Sequence, residues 1–171
     1  MNRTLSEALR YAEMGFSVIP IQAHDKKPLL AWERYQKERA STEQIERWWA
    51  QKPDANVAIV TGEVSGVDVL DIDSEKGDEA LSELLPEVFE TPIAVTPRGG
   101  KHIYVAHRGS LGNAVRFIND CDFRGQGGYV VAPPSTGQNG KTYAWNPYLS
   151  IFDLQPAPLP ENIYKVLINA F

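Results

Sequence analysis

The order of apolar and polar residues along the chain predicts a mixture of short helices and short strands. Apolar residues at helical spacing predict four helices, at residues 4–15, 41–49, about 78–89 and about 160–170. Alternating or continuous apolar runs predict strands at residues 16–21, 57–60, 66–73, 93–96, 101–106 and 129–132, with an edge strand at 143–145. Helices at both ends with strands between them favour an α+β sheet domain.

Two of the predicted helices begin with capping patterns. Thr4-x-x-Glu7 and Ser41-x-x-Gln44 each place a hydroxyl at the N-cap and a Glu or Gln three residues later. The third predicted helix has an apolar stripe that we expect to be buried, made of Ala80, Leu81, Leu84, Leu85 and Val88.

Length and composition indicate a single globular domain covering residues 1–171. With 17 basic and 22 acidic residues the net charge is −5, which argues against a protein that coats nucleic acid through bulk positive charge. The single cysteine, Cys121, excludes an internal disulfide framework and multi-cysteine zinc sites. No apolar run approaches the roughly 18–20 residues of a membrane span. We therefore expect a cytoplasmic protein without a membrane partner.

The run Leu70-Asp71-Ile72-Asp73 is the strongest candidate for chemistry. Because side chains alternate across a strand, Asp71 and Asp73 are expected on one face with Cα atoms roughly 7 Å apart, while Leu70 and Ile72 anchor the other face. Two neighbouring carboxylates favour a divalent cation between them, and Mg²⁺ is commonly held by one or two carboxylates together with substrate phosphates. A strand end at which both aspartates simply reach water explains the pattern equally well.

A second candidate is the segment Thr96-Pro97-Arg98-Gly99-Gly100-Lys101-His102. Its two glycines allow the backbone to approach a ligand closely, and Arg98, Lys101 and His102 supply donors of the kind that bind phosphate. The spacing is not that of a Walker A loop. The competing interpretation is an ordinary hairpin turn with solvated charges, in which His102 makes a structural hydrogen bond.

Residues 120–135 form the third candidate. Asp122 brings a third carboxylate toward the first two if its strand neighbours theirs, and Asp120, which shares its strand face, is the competitor. Arg124 lies beside a glycine-rich turn, and Pro133-Pro134 ends the following strand and presents Ser135 on a rigid turn. Each of these signals is weak when taken alone.

Taken together, in the order in which they occur along the chain, the three segments resemble the bifunctional DNA primase/polymerase (prim-pol) domain of the archaeo-eukaryotic primase superfamily. The resemblance covers about residues 5–147 and extends to the flanking Lys27-Pro28, Trp32, Trp48-Trp49 and residues 56–62. It implies the fold of that superfamily, a mixed or antiparallel sheet flanked by helices. The family pattern also runs continuously from Asp122 through Gly127-Gly128 to Ser135.

The resemblance also implies an activity, template-directed nucleotidyl transfer, in which a primer 3′-hydroxyl attacks the α-phosphate of a nucleoside triphosphate with the help of two divalent cations, Mg²⁺ or Mn²⁺. The family's metal-binding acids match Asp71, Asp73 and Asp122, and its phosphate-contacting histidine matches His102. The residues expected to bind the nucleotide are Gly100, Lys101, His102, Arg124 and Ser135. Arg98 stands where a small polar residue is expected and is interpreted as an extra phosphate or template contact.

The expected partners are a primer, a single-stranded DNA template and nucleoside triphosphates. A helicase or a C-terminal accessory region is expected to supply tight template binding, so extension of an existing primer is favoured over de novo priming. Two alternatives stay open. One is a catalytically silent nucleic-acid-binding replication module, for which the acids would be dispensable; the other is a metal-dependent nucleotide-sugar glycosyltransferase, which leaves the glycine-rich segments unexplained.

Overall fold

The computed structural model describes residues 2–171, which form four α-helices, ten strands and a 3₁₀ turn at Glu33–Gln36. The helices are α1 (Arg3–Glu13), α2 (Thr42–Gln51), α3 (Glu75–Ser82) and α4 (Glu161–Ile168). The strands are β1 (Val18–Ile21), β2 (Asn56–Val60), β3 (Val67–Ile72), β4 (Ile93–Val95), β5 (Lys101–Ala106), β6 (Ala114–Ile118), β7 (Cys121–Arg124), β8 (Tyr129–Ala132), β9 (Ala144–Trp145) and β10 (Ala157–Pro158). The predicted α+β fold class is confirmed.

The strands form two sheets. A three-stranded antiparallel sheet has the order β1-β2-β8, and a larger sheet has the order β6-β7-β3-β5-β4-β9, with β10 parallel to β5. In the larger sheet β3 lies in the middle, antiparallel to β7 on one side and to β5 on the other. Three segments that are far apart in the sequence therefore meet at β3.

Two hydrophobic clusters cover the two faces of the larger sheet. The first cluster joins that sheet to the small sheet and to α1 and α2, and the second lies beneath α3 and α4. The alternating side chains of β3 contribute to both clusters, Val69 to the first and Leu70 to the second. Within residues 2–171, no helix has both the length and the apolar character needed to cross a membrane.

The first two helices begin close to the predicted positions. Ser41 caps α2 as predicted, since its Oγ accepts a hydrogen bond from the N–H of Gln44 over 3.1 Å. The predicted cap at Thr4 is wrong, because the side chain of Asn2 accepts from the N–H of Leu5 over 3.1 Å and the helix begins at Arg3. Asn is at least as favourable an N-cap as Thr, so the earlier start costs nothing.

The third helix is shorter and begins earlier than predicted. Ser74 caps α3, with its Oγ accepting from the N–H of Gly77 over 3.3 Å. The helix ends at Ser82, well before the predicted end at Phe89. Pro86 explains the early end, because it has no N–H to donate to the carbonyl of Ser82 four residues before it, and in a continued helix its ring would clash with that carbonyl. Val88, placed on the buried stripe by the sequence, is 79% exposed.

Three of the ten strands are missing from the predicted set: β6, β10 and β7, of which β7 is implied only as the strand that carries Asp122. β6 pairs with β7 as the outer strand of the larger sheet, with an irregular register between Ala114 and Ile118. β10 is only two residues long and is recognisable only through its pairing with β5. Irregular and very short strands carry little periodicity, which is the signal on which sequence prediction of strands depends.

Candidate active site

The pairing of the central strands places three polar side chains in a row. Asp71 on β3 is directly opposite Asp122 on β7 and directly opposite His102 on β5. Side chains that are directly paired in an antiparallel sheet lie on the same face with Cβ atoms about 4.5–5.5 Å apart. We call Asp122, Asp71 and His102 the Asp–Asp–His row.

The local sequence of β3 holds the row in place. Leu70 and Ile72 are fully buried on the opposite face, so the strand cannot turn over without exposing both. Asp71 is half-buried, and Asp73, two residues further along the same face, is exposed just beyond the end of the strand. The N–H of Asp73 donates to the carbonyl of Asp120 over 3.0 Å, which fixes its backbone beside the β6–β7 turn.

Two adjoining clefts open onto the row. The large cleft has a volume of about 520 Å³ and is walled by three loops, around residues 24–26, 96–100 and 137–139. The small cleft has a volume of about 240 Å³ and runs along residues 127–131. The side chains common to both clefts are Lys26, Asp71, His102 and Tyr143. The volume of the large cleft lies within the range that is usual for small-molecule binding sites.

The three loops of the large cleft are tied to one another. The side-chain amide of Asn139 donates to the carbonyl of Pro97 over 3.0 Å, and Nδ1 of His24 lies 3.3 Å from the carbonyl oxygen of Gly137. These contacts link the loop after β1, the loop before β5 and the loop after β8. The cleft is therefore a formed feature of the fold rather than a gap between independent loops.

His102 contacts the central carboxylate of the row. Its Nε2 lies 3.3 Å from Oδ1 of Asp71, and its Nδ1 is buried without a hydrogen-bond partner among residues 2–171. The ring of Tyr143 packs on the imidazole with ring centroids 5.9 Å apart. Burial and the charge of Asp71 raise the pKa of Tyr143 to about 12, so this phenol is neutral at ordinary pH.

Arg124 joins the two aspartates of the row. Its guanidinium lies 3.1 Å from Oδ2 of Asp122 and 3.9 Å from Oδ2 of Asp71. The other carboxylate oxygen of Asp122 accepts from the backbone N–H of Arg116 over 2.7 Å. Both oxygens of Asp122 are therefore engaged, whereas Asp73 has no ion pair among the described residues.

The two carboxylates of the β3 pair have opposite pKa shifts. Burial raises the pKa of Asp71, but the contact with His102 and the positive charges of His102, Arg124 and Lys26 outweigh it, and the net pKa is lowered. The pKa of Asp73 is raised, first by burial and then by the negative charges of Asp71 and Asp122. The negative charges of Asp71 and Asp122 beside Asp73 are an environment that favours a bound cation.

The order of the three acids and the histidine is the one that the prim-pol resemblance implies. The sequence model of the Prim-Pol family, described as bifunctional DNA primase/polymerase, N-terminal, matches residues 8–162 of the chain. The chain belongs to the Prim-Pol family. No curated protein matches its sequence significantly.

Two of the residues expected to bind nucleotide in this Prim-Pol domain point elsewhere. Lys101 neighbours His102 along β5 and therefore faces the opposite side of the sheet, where its Nζ lies 2.8 Å from Oδ2 of Asp78. Ser135 is 1% exposed, and its Oγ accepts from the N–H of Val57 over 2.9 Å and donates to the carbonyl of Val57 over 3.1 Å. Neither side chain lines the two clefts.

The glycine and the arginine of the second motif do line the large cleft of the Prim-Pol domain. A Cβ at Gly100 would collide with the carbonyl oxygen of Ile72, so the loop can cross the end of β3 only with glycine at this position. Arg98 lies at the exposed rim of the cleft. Asp120, the alternative to Asp122 as the third acid, does not belong to the row. Its carboxylate accepts a hydrogen bond from the Ser74 hydroxyl over 2.7 Å.

Sequence reasoning missed two residues that both clefts share, Lys26 and Tyr143. Lys26 lies in the loop after β1, where two consecutive lysines were the only available signal. Tyr143 was assigned to an edge strand, and nothing in a Tyr-Ala-Trp triplet indicates that its ring packs against a histidine forty residues earlier.

The donor set of the Prim-Pol site can be tested against a divalent cation. Within residues 2–171, no three His, Cys, Asp or Glu side chains form a ready group that could hold a metal ion. Asp122 is already engaged by Arg116 and Arg124. Asp73 makes no ion pair among residues 2–171, and Asp71 has only the longer contacts of 3.3 Å with His102 and 3.9 Å with Arg124. Two such carboxylates completed by water and substrate phosphates are a usual set for Mg²⁺. The residues present therefore fit a cation whose coordination the substrate completes.

Proposed function

We propose that this chain is a template-directed nucleotidyltransferase that extends a primer from nucleoside triphosphates. The observation that carries the proposal is the Asp–Asp–His row of Asp122, Asp71 and His102, with Asp73 beside it, at the mouth of a cleft of about 520 Å³ in a chain of the Prim-Pol family. The reaction forms a bond between the primer 3′-oxygen and the α-phosphorus, and breaks the bond from that phosphorus to the departing pyrophosphate.

Asp71 and Asp73 would hold the divalent cations, Mg²⁺ or Mn²⁺, with Asp122 as the third acid of the family pattern. Such cations, when bound, activate the attacking oxygen and stabilise the charge on the leaving pyrophosphate. The raised pKa of Asp73 supports this assignment, because its cause includes the repulsion from two nearby carboxylates that a cation would relieve. Asp71 is held in one orientation by His102 and Arg124.

His102 and Arg124 would contribute to binding the phosphates. Both line the small cleft next to Asp71, and both carry donors directed at the carboxylates that surround the reacting groups. Nucleotidyl transfer needs little covalent participation from the protein, so positioning and charge stabilisation account for most of the catalysis. The row provides both on a rigid central strand.

Primer, single-stranded DNA template and nucleoside triphosphates are the proposed substrates, and a helicase or accessory region is the proposed source of tight template binding. The net charge of −5 supports weak and salt-sensitive DNA binding by this domain itself. Extension of an existing primer is therefore proposed as the main activity.

A primer-extension assay with labelled nucleotides and Mn²⁺ tests this function on primed and unprimed templates. We expect extension of the primed template, and its loss in Asp71→Asn. Asp54→Asn is the matched control, because it removes the same charge at an exposed position outside both clefts. Absence of extension with retained DNA binding would instead support a catalytically silent replication module.

A further inference from the structure

Lys26 occupies a fixed position at the junction of the two clefts. The loop that carries it is closed by a hydrogen bond from the N–H of Gln22 to the carbonyl of Lys27 over 2.8 Å. The carbonyl of Lys26 accepts from the Tyr129 hydroxyl over 2.8 Å, and its N–H donates to Oδ1 of Asp25 over 2.6 Å. The backbone at Lys26 is therefore held on both sides, while the side chain is exposed and lines both clefts.

The charge of Lys26 is not neutralised within the described part of the chain, where no carboxylate lies within ion-pair distance of its ammonium. Of the neighbouring cations, Arg124 has Asp122 as a carboxylate partner and Lys101 has Asp78 on the far face of the sheet, so Lys26 differs from both in having no such partner among the described residues. The positive charge of Lys26 nevertheless acts on both carboxylates of the β3 pair, since it lowers the pKa of Asp71 and partly offsets the rise at Asp73. Its ammonium is thus close to the reacting centre and free to take an anionic ligand.

Arg98 is the other cation at the large cleft without an ion pair among residues 2–171. It lines the large cleft only, on a loop tip formed with the exposed Gly99, whereas Lys26 lines both clefts. Lys26 therefore shares both clefts with Asp71 and His102, and Arg98 shares only the large cleft with them. The position of Lys26 therefore matches the part of a substrate nearest to the acids.

We propose that Lys26 binds the triphosphate of the incoming nucleotide, the role that the sequence suggests for Lys101. The inference rests on the proposed function and adds to it a residue in the loop after β1, which lines both clefts beside Asp71. A lysine ammonium is a compact point charge with three donors, suited to the β- and γ-phosphates as they leave together as pyrophosphate. Lys26 would then favour both binding of the triphosphate and departure of the pyrophosphate.

Equilibrium binding separates this role from a general effect of charge. Dissociation constants for a non-hydrolysable nucleoside triphosphate and for the matching monophosphate are measured in Mg²⁺ buffer for the wild type, Lys26→Ala, Lys26→Arg and Lys27→Ala. Lys27 is the matched control, because it is an exposed lysine one residue away that lines neither cleft. Melting temperatures confirm that each variant is folded.

We expect Lys26→Ala to weaken triphosphate binding about ten-fold, as the loss of one charge-assisted contact implies, and monophosphate binding less than about two-fold. Lys26→Arg should recover most of the affinity, and Lys27→Ala should match the wild type. Equal affinities of Lys26→Ala and the wild type for the triphosphate, or equal losses for both ligands, would overturn the role of Lys26. A wild type that binds no triphosphate and extends no primer would overturn the proposed function itself.

Discussion

Ser135→Ala distinguishes a structural serine from a nucleotide ligand. In the family pattern Ser135 is a nucleotide-binding candidate, but in the fold its hydroxyl bridges the N–H and the carbonyl of Val57, and both residues are buried. The two prolines before Ser135 lack N–H groups, so the hydroxyl substitutes for a strand partner at the start of β2. Alanine leaves both backbone groups of Val57 without this partner.

The cost follows from the two lost contacts. A buried N–H without a partner costs about 1–3 kcal/mol, and the lost donated hydrogen bond adds about 1 kcal/mol. Water cannot replace the hydroxyl, since Val57 is 0% exposed. A total of roughly 2–4 kcal/mol corresponds to a fall in melting temperature of roughly 4–16 °C for a domain of this size.

Thermal unfolding followed by circular dichroism, together with nucleotide KM in primer extension, provides the assay. We expect Ser135→Ala to lower the melting temperature by this amount and to leave KM within about two-fold of the wild type. Ser110→Ala is the control, because Ser110 is exposed. Its melting temperature should equal that of the wild type. A variant with the wild-type melting temperature and a clearly raised KM would refute the structural role and make Ser135 a ligand.

Three further predictions concern the rest of the site. Lys101→Ala removes an exposed ion pair with Asp78, so it should cost less than about 1 kcal/mol of unfolding free energy and leave nucleotide KM unchanged; a several-fold rise in KM would return Lys101 to the phosphate site. Gly100→Ala should lower both the melting temperature and the extension rate, because the new Cβ collides with the carbonyl of Ile72 beside the acids; wild-type values for both would show that the loop can move away. The raised pKa of Asp73 makes protons compete with metal at a higher pH than for an ordinary aspartate, so Mn²⁺ affinity followed by electron paramagnetic resonance should fall as the pH is lowered and should begin to fall above the range set by the ordinary aspartate pKa of about 3.9; a profile that stays flat down to that range would contradict this.

The sequence predicts most of the scaffold because local signals determine it. The alternation in residues 66–73 predicts β3 and the shared face of Asp71 and Asp73, and the hydroxyl at Ser41 predicts the start of α2. Pro86 is also a local signal for the early end of α3, but the apolar stripe on both sides of it predicts a longer helix.

Strand parity alone could have excluded Lys101 from the site. Adjacent residues of a strand face opposite sides, so a site that contains His102 on β5 cannot contain the side chain of Lys101. The pairing of β5 with β3 then shows that His102, and not Lys101, lies on the same side of the sheet as the acids, because His102 is opposite Asp71 and Lys101 is opposite Ile72.

Other features depend on contacts between distant segments and leave no local trace. The register of β7 against β3 decides that Asp122, not Asp120, stands in the row. The hydroxyl of Ser135 is hydrogen-bonded to Val57, which lies on β2, 78 residues earlier in the chain. Lys26 belongs to a loop whose position depends on its contact with Tyr129, 103 residues later. Such pairings are determined by the packing of the whole core, which periodicity does not describe.

Single-nucleotide incorporation by Asp73→Asn, compared with the wild type, tests the proposed chemistry most directly. Asp73 is exposed and makes no ion pair among the described residues, so the variant should keep the wild-type circular dichroism spectrum and melting temperature. We predict that the wild type adds one nucleotide to a primer and releases one pyrophosphate only when Mg²⁺ or Mn²⁺ is supplied, and that Asp73→Asn loses this incorporation. Undiminished incorporation by a folded Asp73→Asn, or by the wild type in excess chelator, would contradict metal-assisted nucleotidyl transfer at the Asp–Asp–His row.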